Sequence, residues 1–378
     1  MLRKYGCDEI KENRLRLTGA NNTSLFLKRD RGVRGKGKNF FPGKKSFSLS
    51  PGYHKTMIYP ENILLMAPLS GFTDLPYREA AYRGGCRYAF TEMVDAASLA
   101  YANAGGEKLL QCSEFERENF IATQLVGSDV ELLKRACEKL NNYGYFSLLD
   151  FNLGCPVPKV VKKGAGAALG RKIDHALECF EVLTKYSRFP LTAKMRILHA
   201  EDPAPTLELC RGLVALGAQA LTIHGRTMEH FYTGEVNFSI IRAVKEAFPD
   251  IPVIANGGVC SHETWEEMRQ KSGCSRVMLA QGAMGNPWLF RELQGGTPPT
   301  LDEWKEMISI HISGMVKLYG EVSAMRQARK IVHDYLKGRG FPSSLRNTAS
   351  ALSTEAELAE LLANAFPAAE GPVRKIII

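Results

Sequence analysis

Asp150-Phe-Asn-Leu-Gly-Cys-Pro-Val-Pro-Lys-Val-Val-Lys-Lys-Gly-Ala-Gly-Ala-Ala-Leu-Gly170 joins an apolar run to a glycine-punctuated loop, and an amphipathic stretch at 173–186 follows. The apolar run, 146–151, stops at Asn152, Gly154, Cys155 and Pro156, as a buried strand does where it ends in a loop that presents polar side chains. A free cysteine is most often a small buried hydrophobe. The company of Cys155 argues for more. Asn152 can hydrogen-bond a planar amide edge, Gly154 permits close approach, and Pro156 fixes the backbone just after the thiol.

Outward from this unit, short apolar runs alternate with longer amphipathic ones. Strands are expected at 63–68, 88–94, 120–127, 148–155, 191–197, 220–226, 252–258 and 276–282, with helices at 129–141, 173–186, 206–216, 239–247 and 261–271. Eight strand-helix units over roughly 230 residues point to a (β/α)8 TIM barrel, an α/β fold that usually takes about 250. The alternative is an open doubly wound sheet, but its usual Gly-rich phosphate loop after the first strand does not occur here.

A barrel carries its site at the C-terminal ends of its strands. Those ends read Pro68-Leu69-Ser70-Gly71, Glu92-Met93, Gln124, Asn152 to Cys155, Lys194, His224-Gly225-Arg226, Asn256-Gly257-Gly258 and Gln281-Gly282. Nearly all are polar or glycine, a regularity that random placement would not produce. The glycines on the last two strands lie where barrels bind phosphate through backbone N–H groups, so a phosphorylated ligand is expected. No His, Cys or carboxylate set has metal-ligand spacing, and no metal is expected.

The 378 residues leave room for a second, smaller domain beside the barrel at 57–294. After the linker Gly295-Gly-Thr-Pro-Pro299, helices are expected at 301–319, 321–337 and 354–365, making a helical domain over 300–366 and a tail at 367–378. Arg326, Arg329, Lys330, His333, Lys337, Arg339 and Arg346 cluster there, either as a solvated face or as an RNA contact. No apolar run approaches the ~18 residues that span a bilayer, and the N-terminus lacks a signal peptide's apolar core. Nine cysteines, odd in number and without a C-x-x-C pair, read as reduced thiols of a cytoplasmic protein. The net charge is +9, yet residues 1–55 hold fourteen Lys and Arg against four Asp and Glu, so the rest of the chain is near neutral. Residues 1–56 are thus expected to be a flexible basic arm touching phosphates, an extension without a role, or upstream sequence translated from a misassigned start.

Several of these stretches together carry a family resemblance. Ala67-Pro-Leu-Ser-Gly-Phe-Thr-Asp-Leu-Pro-Tyr-Arg78, Asn152-Leu-Gly-Cys-Pro156, Ala193-Lys-Met-Arg196, Ile223-His-Gly-Arg-Thr227, Ala255-Asn-Gly-Gly258, Gly282-Ala-Met-Gly-Asn-Pro-Trp-Leu-Phe290 and Met325-Arg-Gln-Ala-Arg-Lys330 resemble, in order, the motifs of the flavin-dependent tRNA-dihydrouridine synthases. The resemblance implies an FMN-holding barrel, a helical tRNA-binding domain, and NADPH-driven reduction of a tRNA uridine to 5,6-dihydrouridine; the chain is expected to be a monomer. By matching position it implies flavin contacts from Pro68, Leu69, Ser70, Gln124, Lys194, His224, Asn256, Gly257 and Gly258, with Ala280, Gln281 and Gly282 near the phosphate. Cys155 takes the place of the proton donor, and its ordinary pKa of about 8.5 keeps a thiol mostly protonated near neutrality. Asn152, Arg326 and Lys330 fall at substrate positions. Two departures bear on cofactor affinity: Ala280-Gln281 stands where Gly-Arg is usual, and His230 and Phe238 stand where Gln and Trp are common. Other readings of the residues are a flavin barrel acting on a free pyrimidine, as in dihydroorotate oxidation, and an RNA-binding relative that has lost its flavin.

Overall fold

The computed structural model describes residues 58–102, 104–338 and 340–365, all within the unit Met57–Ile378. The expected arm at 1–56 and tail at 367–378 lie outside the described residues. Eight strands, β1 (Leu64–Met66), β2 (Ala89–Asp95), β3 (Ile121–Val126), β4 (Leu148–Leu153), β5 (Leu191–Arg196), β6 (Leu221–His224), β7 (Val253–Asn256) and β8 (Arg276–Leu279), form one parallel sheet. Its order, β1-β8-β7-β6-β5-β4-β3-β2, is closed by a parallel bridge between Leu65 and Tyr88, so the sheet is a barrel. Strands buried on both faces need apolar residues throughout, and β3 (IATQLV) and β4 (LLDFNL) are buried along their whole length. Most strands are shorter than expected at their C-terminal ends, because Pro68, Cys155, Arg226, Gly258 and Gly282 leave the ladder to build the mouth.

Six helices surround the barrel: α1 (Leu75–Arg83), α2 (Val130–Leu140), α3 (Ile173–Tyr186), α4 (Ala204–Ala215), α5 (Phe238–Ala247) and α6 (His262–Ser272). Side chains before the helix starts take up orphan N–H groups: Asp74 accepts from Tyr77, Asp129 from Leu132 and Asn237 from Ile240, while Ser261 and Thr264 form a capping box. The connection after β2 is broken into Ala96–Ala100, Ala104–Lys108 and Glu114–Glu118. It is tied to α1 by the fully buried pair Arg78–Glu116 at 2.6 Å.

The barrel is filled from its N-terminal end by Tyr59, Leu65, Phe90, Ala122, Leu148, Ala220, Ile254 and Met278. Arg276, 2% exposed, closes that end by donating to the carbonyls of Tyr59 and Pro60 and pairing with Glu61 at 2.7 Å. Beyond the barrel stand α7 (Leu301–Tyr319), α8 (Glu321–Leu336), α9 (Ser343–Ala349) and α10 (Glu355–Ala365). Their apolar core is continuous with Phe72, Ala80 and Trp288 of the barrel. Trp288 stacks on Trp304 at 4.3 Å, and Gly285 lets the backbone after β8 rest on that of Asp334 and Tyr335, where a Cβ would overlap. The seam is therefore packed like a core. Among the described residues no helix is long and apolar enough to cross a membrane.

Candidate active site at the mouth of the barrel

The loop after β4 is pinned from inside the barrel. Asn152 Oδ1 accepts from the N–H groups of Gly154 (3.1 Å) and Cys155 (2.9 Å), an Asx turn that fixes where the thiol stands. Asn152 Nδ2 donates to Gln124 Oε1 at 2.7 Å, Gln124 Nε2 donates to Asp150 Oδ2 at 2.7 Å, and Thr192 donates to Asp150 Oδ1 at 2.6 Å. From the other side Arg196 Nε donates to Gly154 O and its Nη1 to Thr227 O, both at 3.0 Å. Gly166 packs against Cys155, and a Cβ there would meet Cys155 O at 2.7 Å. Cys155 is partly exposed, whereas six other described cysteines are buried in the core cluster. Burial pushes its thiol pKa up, against the Val157 N–H and the charges of Arg196 and Lys194.

Strands β5 and β6 bring a group of cations to the same opening. Lys194 Nζ donates to Asn256 Oδ1 at 2.8 Å, and Asn256 is itself fixed by donating to Met278 O at 2.8 Å. Burial first, and Arg196 second, lower the Lys194 pKa to about 8. Burial and the neighbouring Arg226 lower Arg196 to about 10. His224 is held neutral, well below its ordinary range, by burial and by Arg196, Lys194 and Arg226. Its Nε2 lies 3.4 Å from Arg226 Nη1. Three cations that raise one another's energy make a site that favours an anion.

The loops after β7 and β8 supply the donors for one. Gly257 (φ +128°) and Gly258 (φ +71°) adopt left-handed backbone, and a Cβ on Gly257 would come 2.9 Å from His224 Cδ2. Gly282, in the 3₁₀ turn Gln281–Ala283, lies against Val259 and Cys260 of the neighbouring loop. Among the described residues, the N–H groups of Gly257, Gly258, Gln281 and Gly282 have no hydrogen-bond acceptor. The group fits a phosphate: unpaired N–H donors in a cradle that a Cβ would fill, with Arg226 at its edge.

Pro68, Leu69 and Ser70 form the rim after β1, in a turn closed by the N–H groups of Phe72 and Thr73 donating to Leu69 O. Glu92 Oε2 accepts from Gly71 N–H at 2.6 Å, and burial raises this carboxyl to about 7. Lys330, from α8, lies 3.7 Å from the Phe72 ring centroid, which brings the helical domain to this rim. Arg326 is exposed one turn earlier on the same helix. The structure thus gathers residues expected from all eight strand ends. Sequence reasoning passed over Asp150 and Arg196 as parts of the site, and placed Glu92 at a strand end without giving it a role. Their signal was present, since each is a charged residue in or beside an apolar run, but their partners lie on other strands.

The family model for dihydrouridine synthase matches residues 65–370. A probable tRNA-dihydrouridine synthase of Rhizobium leguminosarum bv. phaseoli is 36% identical over 276 residues, 73% of this chain and 86% of the relative. A tRNA-dihydrouridine synthase B of Vibrio cholerae is 33% identical over 314 residues, 81% of this chain and 96% of its own. A probable tRNA-dihydrouridine synthase of Treponema pallidum is 30% identical over 337 residues, 83% of this chain and 97% of its own.

Proposed function

Because this chain belongs to the dihydrouridine synthase family, we propose that it reduces the C5=C6 bond of a uridine in tRNA to 5,6-dihydrouridine. The observation that carries the mechanism is the thiol of Cys155, held by Asn152 and Arg196 at the mouth and kept protonated by burial. When bound in this mouth, FMN reduced by NADPH would supply a hydride for C6 of the uracil. Hydride addition leaves the electron pair of the old double bond on C5, conjugated to the C4 carbonyl. Cys155 gives its proton to C5 and recovers one from solvent, so the product gains two hydrogens. Arg196 and Lys194 offset the negative charge left on sulfur at that moment.

The residues of the mouth divide the holding of FMN between them. The N–H groups of Gly257, Gly258, Gln281 and Gly282 and the guanidinium of Arg226 suit the phosphate. Backbone donors there offset the Ala280-Gln281 departure. Lys194 suits the polar edge of the ring, with neutral His224 beside it, while Gln124, wholly buried, supports the mouth through Asn152. Asn256 acts through Lys194, which it holds in place. Pro68, Leu69 and Ser70 cover the rim. A uridine in folded tRNA has to be unstacked to enter this opening, and Arg326 and Lys330 stand beside the rim where the flanking backbone would pass. The eight described cysteines are all free, which supports a reducing, cytoplasmic setting.

The test is to incubate the purified protein with FMN, NADPH and an unmodified tRNA transcript, then analyse the nucleosides by mass spectrometry. A uridine heavier by two hydrogens is expected. A flavin-loaded protein that consumes NADPH and reduces free uracil or orotate, but no uridine in tRNA, would overturn the proposal.

A further inference from the structure

Asp150 takes part in none of these steps. It is nevertheless a carboxyl 1% exposed in the middle of β4, and burying one there is costly without compensation. Its oxygens are both engaged, by Thr192 at 2.6 Å and Gln124 at 2.7 Å. An ionised carboxylate only accepts hydrogen bonds. Gln124 must then turn its Nε2 toward Asp150, which leaves Oε1 to face Asn152. Asn152 must answer with Nδ2, as it does at 2.7 Å. Only its Oδ1 is left for the loop, where it accepts from Gly154 and Cys155. Reverse the two amides, and Asn152 would present N–H groups to N–H groups, and the turn that fixes the thiol would open.

We propose that Asp150 is a positioning residue: it sets the direction of the relay Asp150–Gln124–Asn152 and thereby the backbone conformation that holds Cys155 at the mouth. The proposal rests on the reading of Cys155 as proton donor. Asp150 is the one acceptor-only end of a chain of two amides, and an amide transmits polarity because one side donates and the other accepts. Burial raises the Asp150 pKa to about 6, against the hydrogen bonds from Gln124 and Thr192 and the charge of Lys194, so the group is mostly ionised at neutral pH.

A double-mutant cycle of D150N, N152D and D150N/N152D tests the direction. N152D makes both ends acceptor-only, so the single amide of Gln124 cannot satisfy them together. At pH 8, dihydrouridine formation is expected to fall roughly 10-fold or more in kcat with little change in the KM for tRNA. D150N keeps an acceptor for Gln124 and is expected to lose only ~3-fold. The double variant reverses the relay from end to end and is expected to recover to about the level of D150N, a coupling that independent sites do not show. Amide hydrogen exchange at residues 154–155, measured without cofactor or tRNA, should follow the same order, faster in N152D and protected again in the double variant. A double variant no better than N152D in both measurements overturns the relay. If the wild-type protein forms no dihydrouridine, the reading of the reaction fails instead, and the exchange data alone decide the relay.

Discussion

Burial acts on Cys155, Lys194 and His224 at the mouth in one sense, against the charged form, but the consequence differs for each. For Cys155 it keeps the thiol protonated, as the proposed proton transfer to uracil requires. Cys155→Ala is therefore expected to keep bound flavin and its reduction by NADPH while dihydrouridine formation drops by about 10²–10⁴, the usual worth of a positioned acid; stopped-flow absorbance of the flavin and nucleoside analysis separate the two half-reactions. For Lys194 burial lowers the pKa to about 8, so the cation is present below that pH and disappears above it. Flavin retention is expected to weaken as pH rises from 7 to 9. K194M should bind weakly and show no such dependence, which equilibrium dialysis against FMN would measure. For His224 burial removes the charge altogether near neutrality. Asp150 runs the other way in stability: with its folded pKa raised to about 6, it contributes most below the unfolded value near 4. That contribution, on the order of 3 kcal/mol, is lost as pH rises through 6. Holding the relay charged at neutral pH thus costs stability.

At the scale of the loops and strands, the cradle depends on backbone that other residues cannot copy. Gly257→Ala puts a Cβ 2.9 Å from His224 Cδ2 on a residue at φ +128°. It is expected to weaken FMN binding at least ~10-fold with the fold intact, since strain of this kind costs of order 1–3 kcal/mol. Unchanged affinity in dialysis, with unchanged circular dichroism, would remove the cradle from the account. The strand ends were legible because an apolar run that stops at a polar or glycine group is a local signal, and eight such stops fall at one end of a closed sheet. α1, the segments at 96–118 and α9 were not legible in the same way. α1 starts with Leu75-Pro76 and buries Arg78, whose partner Glu116 is far along the chain. The links Lys194–Asn256, Arg196–Gly154 and Asn152–Gln124 were also out of reach, because they join different strands and follow from register. Resemblance named Asn152 as a substrate contact; the structure spends both ends of its amide on the loop and on Gln124.

Across the molecule, the seam between barrel and helices decides how the protein fails. His311, wholly buried and bonded to Tyr335, is held neutral by burial with a pKa of about 3. A His depressed in this way contributes stability above its unfolded value near 6.5, and that contribution, of order a few kcal/mol, is lost as pH falls from there toward 3. Acid unfolding followed by tryptophan fluorescence is expected to begin in that window, and H311Q, whose amide offers a hydrogen-bonding group in place of the ring nitrogen but cannot titrate there, should move the midpoint lower. Removing residues 1–56 is expected to leave the reaction itself intact and to weaken tRNA binding most at low salt, a comparison that filter binding at two salt concentrations would make. The plugged floor of the barrel has its own consequence. With Tyr59 and Arg276 sealing the lower end among the described residues, the proposed reductant and the tRNA would both come to the mouth. On that reading each would leave before the other arrives, and initial rates at several fixed NADPH levels are expected to give parallel double-reciprocal lines.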